Sequence, residues 1–276
     1  MIRLAVFGSP IRQSRSPAIH SLFAQQCGLA VDYQAIEATV ENFAGLVRAL
    51  ATGGGLGCNI SAPFKQQAWQ LAQRDSSSAR RARAANTLVF ESADHWYADN
   101  TDGRGLVQDL SANLGRQIRD SRICIIGAGG AAAGILGDLL AQKPDSITIA
   151  NRTVERGREL QRTFNTDLTA PAVSAISLDN LGSASAFDLV INATSLGHQT
   201  RHPGLPENIF LPGSLCYDLN YGAAADPLRA FCGEKGISYE DGLGMLVEQA
   251  ALSFQLWTHH KPETAPVLEA LRLKRP

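Results

Sequence analysis

The stretch from Arg122 to Thr153, RICIIGAGGAAAGILGDLLAQKPDSITIANRT, constrains this chain more than any other. Ile123 to Ile126 is a short apolar run with polar residues before it and glycine after it, the pattern of a strand buried on both faces. Gly127, Gly129 and Gly130 follow, and small residues through Gly134 begin a helix that Lys143-Pro144 ends. Ile147 to Ala150 is a second short strand. A strand that turns sharply into a helix needs backbone angles that side chains resist. A pyrophosphate reaches the helix N-terminus only where no Cβ intervenes. Gly127 and Gly129 fit G-x-G-x-x-G, with Ala132 as the accepted variant in the third glycine position. With a strand before it and a helix after it, the loop is read as a dinucleotide site rather than a plain tight turn.

The end of the second strand indicates which dinucleotide. A site for NAD carries an acidic residue there, about 20 residues past the glycines, to bind the ribose 2′-OH. This chain has Asn151-Arg152-Thr153 instead. A carboxylate would repel a 2′-phosphate, whereas Arg152 would pair with it and Asn151 and Thr153 would add donors. The expected cofactor is therefore NADP(H). The plainer alternative is a solvated arginine at a strand end.

A length of 276 residues suggests two domains, and 45% apolar with 18% charged residues is ordinary for a globular chain. The net charge of −1 creates no broad field for nucleic acid or an anionic membrane, so neither is an expected partner. Arg80, Arg81 and Arg83 read as a solvated helix face. The five cysteines (Cys27, Cys58, Cys124, Cys216 and Cys232) are scattered, which suggests free thiols in a reducing compartment. Leu4 to Phe7 is too short for a signal-peptide core, and no apolar run is long enough to span a bilayer, so the cytoplasm is the expected location.

Upstream of the glycine turn, strands and helices alternate. Arg3 to Phe7 reads as a strand; Ser16 then looks like an N-cap with Pro17 as the first helical residue, while Ser14 has no such task. Two hydroxyls at a strand-to-helix turn can hold a small carboxylate; the plainer reading is that a serine in a loop is simply polar. Val31 to Ile36 is the next strand, Glu41 to Ala51 an amphipathic helix, and Leu56 to Ile60 a strand closed by N-I-S-A-P-F-K. Lys65 falls in the first turn of the following helix, just past a strand end, where open α/β sheets place ligands. The positive helix end disfavours a cation there, and Phe64 stands beside it; both effects favour release of its proton and suit proton transfer. The plainer reading is a surface lysine. Ala84 to Phe90 is a strand carrying Asn86-Thr87, paired with or followed by Trp96 to Ala98. Asp102, in D-N-T-D-G, either caps a helix from Gly103 to Leu114 or is a carboxylate at a domain junction.

Downstream, Thr153 to about Phe164 is a helix, and the segment from there to Ala186 shows no clear period. Phe187 to Asn192 is an apolar strand ending in A-T-S-L-G, where Thr194 and Ser195 are small and polar as a backbone facing a nicotinamide requires. His198 and His202 lack metal spacing and are expected to face solvent. Leu215 to Leu219 is a buried strand, Asp226-Pro227 caps a helix to Glu234, and Ile237 to Tyr239 is a last strand. Asp241 to His260 reads as one long helix, apolar on nearly all sides, in which Gln249 needs a partner from a backbone group or a ligand. Ala265 to Leu273 is a final helix that packs back on the first domain.

These motifs together closely resemble the shikimate dehydrogenase family. The likeness runs in order through GSPIRQSRSPAIH, NISAPFK, AANTL, DNTDG, GAGGAA, NRT, INATSLG, YDLNY and DGLGMLVEQAA. The resemblance implies an α/β enzyme of two domains that reduces 3-dehydroshikimate with NADPH, reversibly, on the route to aromatic amino acids. The substrate domain would comprise residues 1–103 and 241–276, with a Rossmann-type NADP domain at 104–240. By resemblance Ser14 and Ser16 bind the substrate carboxylate with Tyr221 nearby, and Ser61, Asn86, Asp102 and Gln249 address its hydroxyl and keto oxygens. Lys65 and Asp102 would be the acid–base pair. Gly127, Ala128, Gly129, Gly130 and Ala131 would lie against the pyrophosphate, Asn151 to Thr153 would receive the 2′-phosphate, and Leu219, Gly242 and Met245 would line the nicotinamide side. The family usually has threonine where Ser61 stands and histidine where Phe64 stands. The alternatives are a quinate/shikimate dehydrogenase and a weakly catalytic NADPH-binding homologue with a regulatory role. A monomer or homodimer is expected.

Overall fold

Residues 1–165 and 171–273 are described by a computed structural model. The chain divides into two units, Met1–Leu106 with the chain from Leu246 onward, and Val107–Met245.

The first unit holds six strands: β1 (Ile2–Gly8), β2 (Val31–Glu37), β3 (Gly57–Ile60), β4 (Arg74–Asp75), β5 (Thr87–Phe90) and β6 (Trp96–Asp99). Their order is β2-β1-β3-β5-β6-β4. β1 pairs in parallel with both β2 and β3, because helices carry the chain back between them. β5 and β6 form an antiparallel hairpin, since only Glu91 to His95 separate them and Glu91 N–H closes that loop on His95 O at 3.0 Å. One side of the sheet is sealed by Phe7, Phe43, Phe64, Leu88 and Trp96. Elsewhere in the unit Phe23 and His20 pack on Phe254, and Trp257 Nε1 donates to Leu88 O at 2.9 Å. Phe254 and Trp257 belong to the helix Leu243–Thr258, so residues distant in sequence complete this core. The last helix, Ala265–Leu273, lies against Ser16–Gln26, where Gln26 bonds both the N–H and the carbonyl of Glu263.

The second unit is wholly parallel: β7 (Arg122–Ile126), β8 (Ser146–Asn151), β9 (Ala172–Ser177), β10 (Phe187–Asn192), β11 (Phe210–Asp218) and β12 (Ser238–Asp241), in the order β12-β11-β10-β7-β8-β9. Counted from β7, this is the 3-2-1-4-5-6 order of the doubly wound Rossmann fold. Strands buried on both faces must be apolar throughout, and Ile123, Cys124, Ile125 and Ile126 are all fully buried.

Several local expectations are corrected. β9 lies in the segment that shows no period. Its residues AVSAIS include only two large apolar side chains, Val173 and Ile176, as an edge strand allows, and residues 166–170 before it lie outside the described residues. β11 begins at Phe210, five residues before the expected start, with Pro212-Gly213 inside it and a register shift against β10. Asp241 ends β12 rather than starting a helix; its Oδ1 accepts the N–H of Leu243 at 3.1 Å, and the helix runs Leu243–Thr258. Asp226 is the first residue of its helix and pairs with Arg229, while Ala225 holds the cap position. The helix expected over Gly103 to Leu114 is α-helical only over Asp102–Gln108 and continues as a π-helical turn, Asp109–Asn113. His198 is exposed, but His202 is half-buried and stacks on Phe231. All five cysteines are free thiols, with Cys58, Cys124, Cys216 and Cys232 buried. Among the described residues no helix is long and apolar enough to cross a membrane.

Candidate active site

In the first unit, β3 delivers the chain to Ser61, and the helix Lys65–Leu71 starts three residues after Ala62. Phe64 turns into the core and stacks on Phe43, with ring centroids 4.7 Å apart, so its ring does not cover the lysine. Lys65 points the other way. Its Nζ lies 2.5 Å from Asp102 Oδ2, with the two side chains 20% and 8% exposed. Asp102 is not a helix cap. Its own N–H is taken by Asn100 Oδ1 at 3.2 Å, which leaves the carboxylate for tertiary partners.

The second oxygen of Asp102 accepts from Asn86 Nδ2 at 2.8 Å. The same nitrogen faces Thr101 Oγ1 at 2.8 Å and Gln249 Oε1 at 3.0 Å. Asn86 Oδ1 accepts from Thr101 N and from Thr87 Oγ1, both at 2.9 Å. Gln249 Nε2 donates to Leu246 O at 2.7 Å, so a backbone carbonyl and Asn86 supply the partners its buried amide requires. Gly105 permits this approach: a Cβ there would sit 2.7 Å from Gln249 Cβ and 2.8 Å from Gln249 N. Lys65, Asn86, Asp102 and Gln249, far apart in sequence, are thus one hydrogen-bonded cluster.

Ser16 does not take the capping task expected of it. Ser16 is buried and caps nothing, whereas Ser14 Oγ accepts the Ser16 N–H at 3.3 Å. Ser61 is half-buried and held by its N–H on Phe7 O at 2.8 Å. Tyr221 belongs to the second unit, at the start of the turn Gly222–Ala225.

Residues that sequence reasoning missed lie beneath this cluster. Asn59 Nδ2 reaches Asn86 O, Thr87 Oγ1 and Ser253 Oγ at 3.0–3.2 Å. Asn59 Oδ1 faces Tyr33 OH at 2.7 Å and His20 Nε2 at 3.2 Å. Burial pushes the His20 imidazole down to about 3, against a smaller opposing effect of Asn59, so the ring is neutral and stacks on Tyr33. The available signal was a polar side chain at a buried position of a four-residue strand, G-C-N-I, which demands satisfied partners. Thr101, fully buried and bonded to Gln249 O, was equally overlooked.

In the second unit, Gly127 has φ +108° and packs on the end of β10. A Cβ there would meet Ala193 O at 3.1 Å and Thr194 Cγ2 at 3.2 Å. Gly129 precedes the helix Gly130–Ala141, whose first turn has no side-chain cap. A Cβ on Gly129 or Gly130 would meet no protein atom within 4 Å, so protein packing does not explain these two glycines. They leave the first-turn amides open to an anion, as a dinucleotide pyrophosphate requires. Ala128 and Ala131 flank them half-buried. Arg152 and Thr153 are exposed at the end of β8, and Asn151 Nδ2 bonds Thr153 O at 2.7 Å. Leu219 N–H bonds Asn192 O at 3.0 Å, Gly242 approaches so closely that a Cβ would sit 2.4 Å from Leu219 O, and Met245 N–H reaches Tyr217 OH at 3.3 Å. Thr194 and Ser195 follow β10. All these positions lie at or just beyond the C-terminal ends of the parallel strands, around the point between β7 and β10 where strand order reverses. Open α/β sheets bind ligands there. The donor set therefore fits NADP(H).

Residues 6–88 match the family described as shikimate dehydrogenase substrate binding domain, residues 109–203 shikimate / quinate 5-dehydrogenase, and residues 242–272 shikimate 5'-dehydrogenase C-terminal domain. The chain is 45% identical over 271 residues to the shikimate dehydrogenase (NADP(+)) of Alkalilimnicola ehrlichii, covering 98% of each. Among solved structures it is similar to an Ael1 enzyme from Pseudomonas putida, with 39% identity, 98% of each chain covered and a TM-score of 0.88. It is also similar to shikimate 5-dehydrogenase from Thermus thermophilus in complex with NADP(H) and shikimate, with 28% identity, 99% of each covered and a TM-score of 0.83.

Proposed function

The chain belongs to the shikimate dehydrogenase family, and on that premise we propose that Lys65 and Asp102 manage the proton in an NADP-dependent, reversible reduction of 3-dehydroshikimate to shikimate. The observation that carries the reading is the 2.5 Å pairing of Lys65 Nζ with Asp102 Oδ2. The bound cofactor supplies the hydride that the ketone carbon receives. Negative charge then grows on the ketone oxygen, and the Lys65 ammonium donates a proton to it. Asp102 orients the amine and balances its charge, while Asn86 holds the other carboxylate oxygen so that one oxygen faces Lys65. In the oxidative direction Lys65 Nζ accepts the proton from the substrate hydroxyl.

Substrate recognition falls to the remaining polar groups of the first unit. Ser14 and Ser16 address the carboxylate, and Ser61, Asn86 and Gln249 the hydroxyls. A site built to bond each hydroxyl rejects analogues that leave one of its buried groups unpaired. The reducing cytoplasm suits five free thiols. The test is NADP reduction followed by absorbance with shikimate and with quinate. Turnover with shikimate is expected; turnover with neither substrate would leave only a nucleotide-binding protein.

The cofactor preference has its own test. Arg152 at the end of β8 pairs with the 2′-phosphate, a charge-assisted contact worth about 1.5–3 kcal/mol, or roughly 10–100-fold in affinity. Arg152→Ala should raise KM for NADPH by that factor and move KM for NADH less than about twofold, since NADH lacks the phosphate. Equal losses for the two cofactors would refute the role of Arg152.

A further inference from the structure

Three neighbouring parallel strands of the second unit end alike. Asn192, Asp218 and Asp241 are register partners across β10, β11 and β12. Each turns the chain by accepting an N–H two residues on: Thr194 N at 3.1 Å, Asn220 N at 3.0 Å and Leu243 N at 3.1 Å. The middle member does more than its neighbours. Asp218 Oδ1 accepts from Asn192 Nδ2 at 2.9 Å and from Asn220 Nδ2 at 2.7 Å, besides the Asn220 amide.

Both asparagines then converge on one residue. Asn192 Oδ1 accepts the N–H and the hydroxyl of Thr194, at 3.1 and 2.8 Å. Asn220 Nδ2 also donates to Thr194 O at 3.0 Å. Every polar group of Thr194 is therefore engaged by a side chain that hangs on a single oxygen of Asp218. The Ala193–Thr194 segment is in turn the surface against which Gly127 packs.

We propose that Asp218 is a positioning residue for the cofactor: acting through Asn192 and Asn220, its carboxylate fixes Thr194 and so sets the glycine turn that receives the dinucleotide. Asp218 is fully buried, and among the described residues it has no ion pair. Burial pushes its carboxyl up to about 6, and the bonds from Asn220, Asn192 and Tyr239 only partly oppose this. A buried carboxylate without a cation is costly, and such groups persist where their bonds organise a site. Oδ2 faces Tyr239 OH at 3.4 Å, and that hydroxyl also donates to Ala225 O at 3.1 Å. The organising bonds thus fall on Oδ1 alone.

The proposal rests on assigning NADP(H) to the glycine turn. Its test compares Asp218→Ala, Asp218→Asn, Asn220→Ala and the Asp218→Ala/Asn220→Ala double variant in the full chain. NADPH affinity is read from nucleotide fluorescence, shikimate KM from turnover, and folding from thermal melts. Asp218→Ala and Asn220→Ala should each weaken NADPH about tenfold or more, because each frees Thr194 from a bond made through a charged acceptor. Shikimate KM should stay within about twofold, as the first unit's cluster does not use these residues. Asp218→Asn keeps an oxygen acceptor and should bind NADPH within about threefold of wild type. The double variant should bind no more weakly than Asp218→Ala alone, since both lie on one path. Unchanged NADPH affinity in folded Asn220→Ala, or losses that multiply in the double variant, would overturn the role of Asp218. Wild-type protein that fails to bind NADPH would overturn the cofactor reading itself.

Discussion

Lys65→Ala should lower kcat by about 10³-fold in both directions while leaving NADPH affinity within about twofold. The size follows from the role proposed for the amine at the ketone oxygen. Proton donation contributes on the order of 10²–10⁴-fold, and the ammonium also stabilises charge that exists only in the transition state. Shikimate KM should therefore change far less than kcat. Lys65→Arg should not rescue, because a planar guanidinium neither fits a compact pairing with Asp102 Oδ2 nor gives up its proton. Asp102→Ala should be almost as damaging, since it leaves the Lys65 ammonium unoriented and removes one of the three acceptors around Asn86 Nδ2. Groups that act as one unit are not additive, so the double variant should resemble the worse single. Steady-state rates in both directions, with NADPH titrated by fluorescence, decide the matter. A Lys65→Ala protein retaining more than about a tenth of wild-type kcat would remove the amine from the chemistry.

The two units differ in how openly their sequences declare them. The glycine turn, its flanking strands β7 and β8, and β10 were legible because a parallel strand buried on both faces must be apolar throughout. An anion-receiving helix must also start without side chains. Both demands act on adjacent residues. The proposed acid–base cluster was legible only through family likeness, since Lys65, Asn86, Asp102 and Gln249 are joined by the fold and not by spacing. The misread caps share one cause. Ser16, Asp102 and Asp226 all stand where a local hydrogen bond to the helix is available, and none makes it. Asp102 bonds Lys65 and Asn86 instead, and Asp226 bonds Arg229. Other side chains win over the cap in each case where a partner is seen, and pattern reading has no access to them. The edge strand β9 escaped for the opposite reason: an edge needs little apolar surface, so AVSAIS carries almost no signal.

Asn59 shows why the first unit tolerates polarity at its centre. It sits on β3 with four polar partners besides the carbonyl of Asn86, and the chain of bonds runs through Thr87, Ser253 and Thr101 to Gln249 and Asn86. A partly satisfied network of this kind would be worse than an apolar core. The network therefore requires β3 to lie hard against β5 and against the helix Leu243–Thr258, which supplies Ser253 and Gln249.

Gly57, at the head of β3, is the residue that permits this approach. A Cβ there would fall 2.2 Å from Leu88 O and 2.2 Å from Trp257 Nε1, two atoms already bonded to each other at 2.9 Å. Neither is the free end of a flexible side chain. One is the backbone of a paired strand, and the other is an indole that is 4% exposed. Gly57→Ala must therefore part β3 from β5 or expel Trp257, losing the indole bond and overpacking the core, at about 3 kcal/mol or more. For a unit of this size that should lower Tm by about 10 °C. Gly45→Ala provides the control. Gly45 is exposed within the helix Phe43–Thr52, and a Cβ there meets nothing within 4 Å, so alanine should be neutral or stabilise by up to about 1 kcal/mol. Thermal melts of the two variants separate the outcomes. If Gly57→Ala melts with the wild type, the close seating of the Trp257 helix on β3 is not what holds Asn59 and Gln249 in one network, and the Lys65–Asp102 cluster must draw its order from elsewhere.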